Sequence, residues 1–190
     1  MSETLRTFIA LELSPEIRQE LSKIQKELKK SGADAKWVKP ENIHLTLKFL
    51  GNTPVDKIPL INNLLQETAN QCKSFDISIS DLGVFPRIES PRVIWVDINQ
   101  GKEELIKFAG EIENKLSDLG FIKEDRPFQT HVTLARIKSS LNRLNLAEKL
   151  KAINPPPLSQ RVDKITFFKS TLTPQGPVYE ILKEITLKTS

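Results

Sequence analysis

The chain contains two histidines, and both open the same short pattern: His44-Leu45-Thr46-Leu47 and His131-Val132-Thr133-Leu134. The two stand 87 residues apart, each with a proline four positions earlier, Pro40 and Pro127. In an extended strand, residues i and i+2 point to one face. Each pattern therefore presents an imidazole beside a hydroxyl. Leu45, Leu47, Val132 and Leu134 point the other way, where they can pack beneath helices. Two imidazoles and two hydroxyls brought together can cleave a phosphodiester. In-line displacement at phosphorus needs one group to take a proton from the attacking oxygen and another to give one to the leaving oxygen. Histidine titrates near neutrality, so one neutral and one protonated ring can coexist. The hydroxyls of Thr46 and Thr133 can hydrogen-bond the non-bridging oxygens, where charge builds up. None of these steps requires a metal.

The elements that must hold these strands repeat at the same spacing. Phe8-Ile9-Ala10-Leu11 lies over Trp95-Val96-Asp97-Ile98, two short strand-like runs. An amphipathic helix follows each. Ser14 caps the first, Pro15 opens it, Ile17, Leu21, Ile24 and Leu28 form its apolar face, and Gly32 ends it. Leu105, Phe108, Ile112, Leu116 and Leu119 do the same in the second half, and Gly120 ends that helix. After each His-x-Thr strand comes another helical stretch, marked by Ile58, Ile61, Leu64 and Leu65, then by Leu144, Leu146 and Leu150. An alternating strand follows: Phe75, Ile77 and Ile79, then Val162, Ile165 and Phe167 beyond the break at Pro155-Pro156-Pro157. A last strand runs roughly from Tyr179 to Leu187. Each half reads β-α-β-α-β. The predicted class is α+β: duplicated units with pseudo-two-fold symmetry, two mainly antiparallel sheets facing a central cleft, and helices outside. No low-complexity linker separates the halves, so residues 1–190 are expected to form one bilobal domain with repeat halves 1–87 and 88–190.

Composition removes several function classes. The 190 residues are 38% hydrophobic and 27% charged, ordinary for a folded soluble chain. Seven glycines and no GxGxxG or GxxxxGK[ST] argue against a Gly-rich phosphate loop. A single cysteine, Cys72, precludes an intramolecular disulfide and a Cys-rich zinc site, and two histidines are too few for a His-rich metal centre. No apolar run approaches a membrane span, and MSETLRTF lacks a signal-peptide core, so a cytoplasmic protein is expected. The net charge of +4 suits an anionic partner. Trp37, Trp95 and Cys72 are expected to pack in or near the core.

The two motifs and their flanks resemble the two-histidine phosphoesterase superfamily, and within it the RNA 2′,3′-cyclic phosphodiesterase family, also called 2′-5′ RNA ligase. The resemblance runs through Arg6-Thr7-Phe8-Ile9-Ala10, the stretch from Trp37 to Gly51, Arg92-Val93-Ile94-Trp95, the stretch from Phe128 to Arg136, and Ser170, Leu172, Gly176, Tyr179 and Glu180. It implies a bilobal fold with both motifs facing a cleft, and metal-independent hydrolysis of RNA 2′,3′-cyclic phosphate ends to 2′-phosphates. The reverse reaction would join such an end to a 5′-hydroxyl through a 2′-5′ linkage without ATP. By resemblance His44 is the proton donor and His131 the proton acceptor, and Phe49 and Arg136 hold the base. An aromatic face and a guanidinium plane both stack on bases. Each stands five residues after its histidine, so in a regular strand both fall on the opposite face, and a bend or a strand end is needed to bring them round. Phe49 also fits plain core packing. Lys48 is expected on the His44 face. Arg87, Arg92 and Arg126 are candidates for an RNA path.

The implied partner is RNA with a 2′,3′-cyclic phosphate end, tRNA fragments included, bound by a monomer without cofactor, metal or membrane. Three other readings remain open from the sequence. One is a phosphodiesterase for another cyclic phosphate or a 2′-5′ oligonucleotide. Another is an RNA- or nucleotide-binding module without turnover, although binding alone needs no acid–base pair. The last is a zinc protein using both histidines, which would need a carboxylate ligand from outside the motifs.

Overall fold

A computed structural model describes residues 3–189. The strands are β1 (Thr4–Glu12), β2 (Ala35–Trp37), β3 (His44–Pro54), β4 (Phe75–Phe85), β5 (Val93–Ile98), β6 (His131–Ile137), β7 (Ser159–Val162), β8 (Lys164–Thr173) and β9 (Gly176–Thr186). The helices are α1 (Pro15–Lys29), α2 (Ile58–Ala69), α3 (Lys102–Asp118) and α4 (Arg143–Ala152). The α+β class is as expected. Local sequence explains most elements. The Ser14 hydroxyl accepts the Ile17 N–H at 3.3 Å, Pro15 occupies the first turn of α1, and Ile17, Leu21, Ile24 and Leu28 are buried. In α3 the spacing buries Leu105, Phe108, Ile112 and Leu116. In α4 only Leu146 and Leu150 turn inward; Leu144 is 77% exposed, because a residue two positions before Leu146 lies on another side of the helix.

All nine strands form one curled sheet in the order β7-β4-β5-β6-β3-β1-β8-β9, with β2 on β6. The two expected sheets are thus edge-to-edge neighbours, joined where β3 meets β6 at one antiparallel pair, Leu45 opposite Val132. The lobes do not coincide with the sequence halves. From the first half, β4 pairs with β5; from the second, β8 pairs with β1. The first half therefore lends β2 and β4 to the second lobe, and the second half lends β8 and β9 to the first. The run expected as one strand through Val162, Ile165 and Phe167 is two strands broken at Asp163. Before that residue β7 pairs with β4, and after it β8 pairs with β1. The chain crosses between lobes there.

Helices cover one face of the sheet, and the main core lies under them, with Leu45, Leu47, Val132 and Leu134 all buried. A second, smaller cluster lies on the other face of the first lobe. Along β1, Ile9 and Leu11 join the main core, while Phe8 and Ala10 pack with Phe168 and Tyr179 on the opposite side. Alternation in one strand thus feeds two apolar layers.

Candidate active site

The pair Leu45–Val132 fixes the register of the two motif strands. Extending it one residue each way sets His44 opposite Thr133 and Thr46 opposite His131. All four lie on the face opposite the buried Leu45 and Val132. Directly opposed antiparallel residues stand about 4.5–5.5 Å apart at Cβ and diagonal ones about 7–8 Å. Both histidines and both threonines are half-buried, in keeping with a cleft wall.

Each imidazole is held the same way. His44 Nδ1 lies 2.8 Å from the Asn42 carbonyl oxygen, and His131 Nδ1 lies 2.8 Å from that of Gln129. A carbonyl only accepts, so Nδ1 carries the proton in both rings and Nε2 is left for chemistry. His44 Nε2 is 2.9 Å from Thr46 Oγ1. The Asn42 side chain in turn donates to the Pro177 carbonyl at 2.8 Å, which ties the loop before β3 to β9. Asn42 and Gln129 act through backbone carbonyls, so no side-chain pattern announces them in the sequence.

Burial pushes the His44 pKa below its ordinary value; the Asn42 carbonyl and the Glu12 carboxylate pull it back in part. Glu12 is the register partner of His44 across β1 and β3. The protein by itself therefore holds His44 toward its neutral form.

The offset of five is resolved by a bulge that both motif strands share. Ile9 pairs with Lys48 and Ala10 with Thr46, so Leu47 is an extra residue in β3. Ile94 pairs with Ala135 and Trp95 with Thr133, so Leu134 is the extra residue in β6. Each bulge falls three residues after its histidine and turns two successive side chains into the core: Leu47 with Lys48, and Leu134 with Ala135. The next residue returns to the histidine's face. Phe49 is 54% exposed rather than core, and Arg136 is exposed. Lys48 is the correction. It does not share the His44 face; its Nζ is buried against Glu113 Oε1 at 2.6 Å and the Ile122 carbonyl at 3.0 Å.

Aromatic rings line the cleft around each histidine. Phe8 lies 5.0 Å from the His44 ring and 5.9 Å from Phe49, and Tyr179 meets His44 edge-on at 5.4 Å. Burial raises the Tyr179 pKa, while the charges of Arg6 and Arg136 oppose that rise. Arg136 from one lobe thus acts on Tyr179 from the other. In the second lobe Phe85 stacks on Trp95 at 4.9 Å and meets His131 edge-on at 5.5 Å. Trp95, expected in the core, stands instead on the cleft side, over Gly83, where any Cβ would lie 2.3 Å from the indole. Phe8 and Trp95 occupy the same place in the 87-residue repeat, and that matching is the signal in the sequence. Trp37 does pack against the core. Arg87, Arg92 and Arg126 are exposed in or beside loops, and among the described residues no contact gathers them. Burial raises the Cys72 pKa, which leaves its thiol protonated and unsuited to attack. Among the described residues no three His, Cys, Asp or Glu side chains gather as a metal-ligand set, and no helix is long and apolar enough to cross a membrane.

Comparison with known proteins follows the same outline. The family model "LigT like Phosphoesterase" matches the chain twice, over residues 11–95 and 96–179. A Thermotoga maritima protein named RNA 2′,3′-cyclic phosphodiesterase is 38% identical over 95% of this chain and 94% of its own length. An Aquifex aeolicus protein of the same name is 37% identical over 97% of this chain and 98% of its own. Among solved structures, a Thermus thermophilus protein superposes with a TM-score of 0.81 at 28% identity, covering 98% of this chain and 100% of that one. Escherichia coli LigT bound to 3′-AMP superposes with a TM-score of 0.77 at 26% identity, covering 97% and 99%. With the doubled match, the near-full-length relatives and the paired motifs in agreement, the chain belongs to the LigT-like phosphoesterases, beside members named RNA 2′,3′-cyclic phosphodiesterase.

Proposed function

We propose that the protein hydrolyses RNA 2′,3′-cyclic phosphodiester ends to 2′-phosphomonoesters without a metal. The observation that carries this reading is the matched pair of imidazoles, each with Nδ1 committed to a backbone carbonyl, which leaves Nε2 as the proton-transferring atom, that of His44 beside the Thr46 hydroxyl. His131 Nε2 takes a proton from water as its oxygen attacks phosphorus. The P–O3′ bond breaks in line, and His44 Nε2–H gives its proton to the leaving 3′ oxygen. The products are a 3′-hydroxyl and a 2′-phosphate. Thr46 and Thr133 donate to the non-bridging oxygens as charge accumulates there. A bound phosphodiester anion favours the protonated form of His44, offsetting the burial that lowers its pKa. Phe49 and Arg136, brought to this face by the two bulges, hold the terminal base.

The same acid–base pair, in the same roles, serves when a 5′-hydroxyl replaces water: His131 takes the proton of the 5′-hydroxyl, the P–O3′ bond breaks, His44 protonates the 3′ oxygen, and an ATP-independent 2′-5′ linkage results. In this reading residues 1–190 work as one cytoplasmic, monomeric unit in which halves 1–87 and 88–190 each supply one His-x-Thr, and tRNA fragments with cyclic ends are among the substrates. The test is incubation of the four nucleoside 2′,3′-cyclic phosphates and a cyclic-ended oligonucleotide with the protein in excess EDTA, with products resolved as 2′- or 3′-phosphates. Turnover to 2′-phosphates in chelator is expected. Turnover that stops in EDTA and returns with zinc or magnesium would overturn the metal-free mechanism.

A further inference from the structure

A groove of about 330 Å³ opens beside His44, and the proposed reaction leaves it unused. Its lining comes wholly from the first lobe and its flanks: β1, β8, β9, the start of α1 and the segment leading into β3. His44 and Tyr179 form the end nearest the reacting centre. Arg18 reaches in from the first turn of α1. It is half-buried, yet among the described residues its guanidinium has no hydrogen bond or ion pair. A guanidinium with no protein partner beside a groove keeps its fork of donors available, and that fork fits phosphate oxygens. Lys39, exposed and without an ion pair among the described residues, adds a second cation. The outer wall is apolar: Val178 is 50% exposed and Ile181 55%. Two carboxylates also line the groove. Glu12 already accepts the Thr166 hydroxyl at 3.0 Å, and Glu41 is exposed. Two cations against two anions suit a singly charged phosphodiester better than a doubly charged terminal phosphate.

We propose that this groove is a subsite for the nucleotide that precedes the cyclic-phosphate end, with its linking phosphodiester on Arg18 and Lys39 and its base against Val178 and Ile181. The inference rests on the proposed cyclic phosphodiesterase activity and its direction. If His44 protonates the leaving 3′ oxygen, the terminal ribose sits beside His44. Its base turns toward Phe49 and Arg136, and its 5′ oxygen leads the chain away from them. The attacking water approaches from the His131 side, so the groove on the His44 flank receives the upstream strand and not the nucleophile.

The test compares adenosine 2′,3′-cyclic phosphate with the dinucleotide ApA ending in a 2′,3′-cyclic phosphate, using wild type, Arg18→Ala and Lys39→Ala. Wild type should process the dinucleotide with a kcat/KM about 10–100-fold higher, the value of one or two charge-assisted contacts. Arg18→Ala should lose most of that preference and Lys39→Ala part of it, with mononucleotide turnover unchanged. The preference should also shrink as salt rises. Equal treatment of the two substrates by wild type, or an equal loss on both in Arg18→Ala, overturns the subsite while leaving the cyclic phosphodiesterase reading standing. Absence of turnover on both substrates by the wild-type protein overturns that reading and the subsite with it.

Discussion

At the scale of single residues, the two histidines differ in surroundings despite their matched tethers. His44 is packed against Phe8 and Tyr179 and bonded to Thr46, and its pKa is lowered chiefly by burial. A ring that resists protonation when folded binds fewer protons than the unfolded chain. Its contribution to stability is complete above the unfolded value near 6.5 and is lost as pH falls through the lower folded value. Melting temperature should therefore decline as pH falls below about 6.5, and less steeply in His44→Ala. Thermal melts of both proteins across the acidic range test this; parallel declines would remove His44 from the account. In catalysis, His44→Ala and His131→Ala should each lower turnover by about 10²–10⁴ with circular dichroism unchanged. The double variant should lose far less than the product, because the pair acts as one unit. Thr46→Ala and Thr133→Ala should be milder, each removing one hydrogen bond. A His131→Ala protein with near wild-type turnover on every cyclic phosphate would end the two-histidine mechanism.

At the scale of elements, the bulges in β3 and β6 decide what reaches the cleft. Periodicity alone puts Lys48 on the His44 face. The extra residue Leu47 turns Lys48 inward, where its ammonium joins β3 to Glu113 on α3 and to the loop leading toward β6. Lys48→Met should cost about 1–3 kcal/mol, since it strips the charged partner from Glu113 and a donor from the Ile122 carbonyl. A melt of the variant measures this, and an unchanged midpoint would show the contact to be idle. The same bulges deliver Phe49 and Arg136. Their alanine variants should raise KM by about 10-fold or more and change kcat less, the pattern of lost base contact. Initial-rate kinetics on several nucleoside cyclic phosphates separate the two constants. The helices are legible because caps and apolar spacing are local: Ser14, Pro15 and the Ile17–Leu28 stripe need no tertiary information. A bulge is not local. It exists only relative to the partner strand, and Leu47 and Leu134 look like any other strand leucine.

At the scale of the molecule, duplication is readable and its three-dimensional arrangement is not. The 87-residue offset joins His44 to His131 and Phe8 to Trp95. Nothing in it says that β4 and β8 trade places, because a strand's sequence shows which face is apolar and not which neighbour pairs its edge. The exchange has a measurable result. A fragment of residues 1–87 carries β4 without β5 to pair it, and β1 without β8. It should show no cooperative melt alone, nor should 88–190, while the two refolded together should regain a transition. Calorimetry on the fragments singly and mixed checks this, and an independently folded 1–87 would contradict the exchanged topology.

The same crossing has a bearing on synthesis at the ribosome. The wall behind His44 is supplied by Phe168 and Tyr179, and the Asn42 side chain that steadies its loop is anchored by Pro177. All three emerge more than a hundred residues after the histidine they serve. A nascent chain that has already released both His-x-Thr segments still lacks the surface that orients the first of them. In the proposed reaction, competence for proton transfer would therefore arrive late, and a chain terminated early at β7 would carry both histidines without the wall that orients the first.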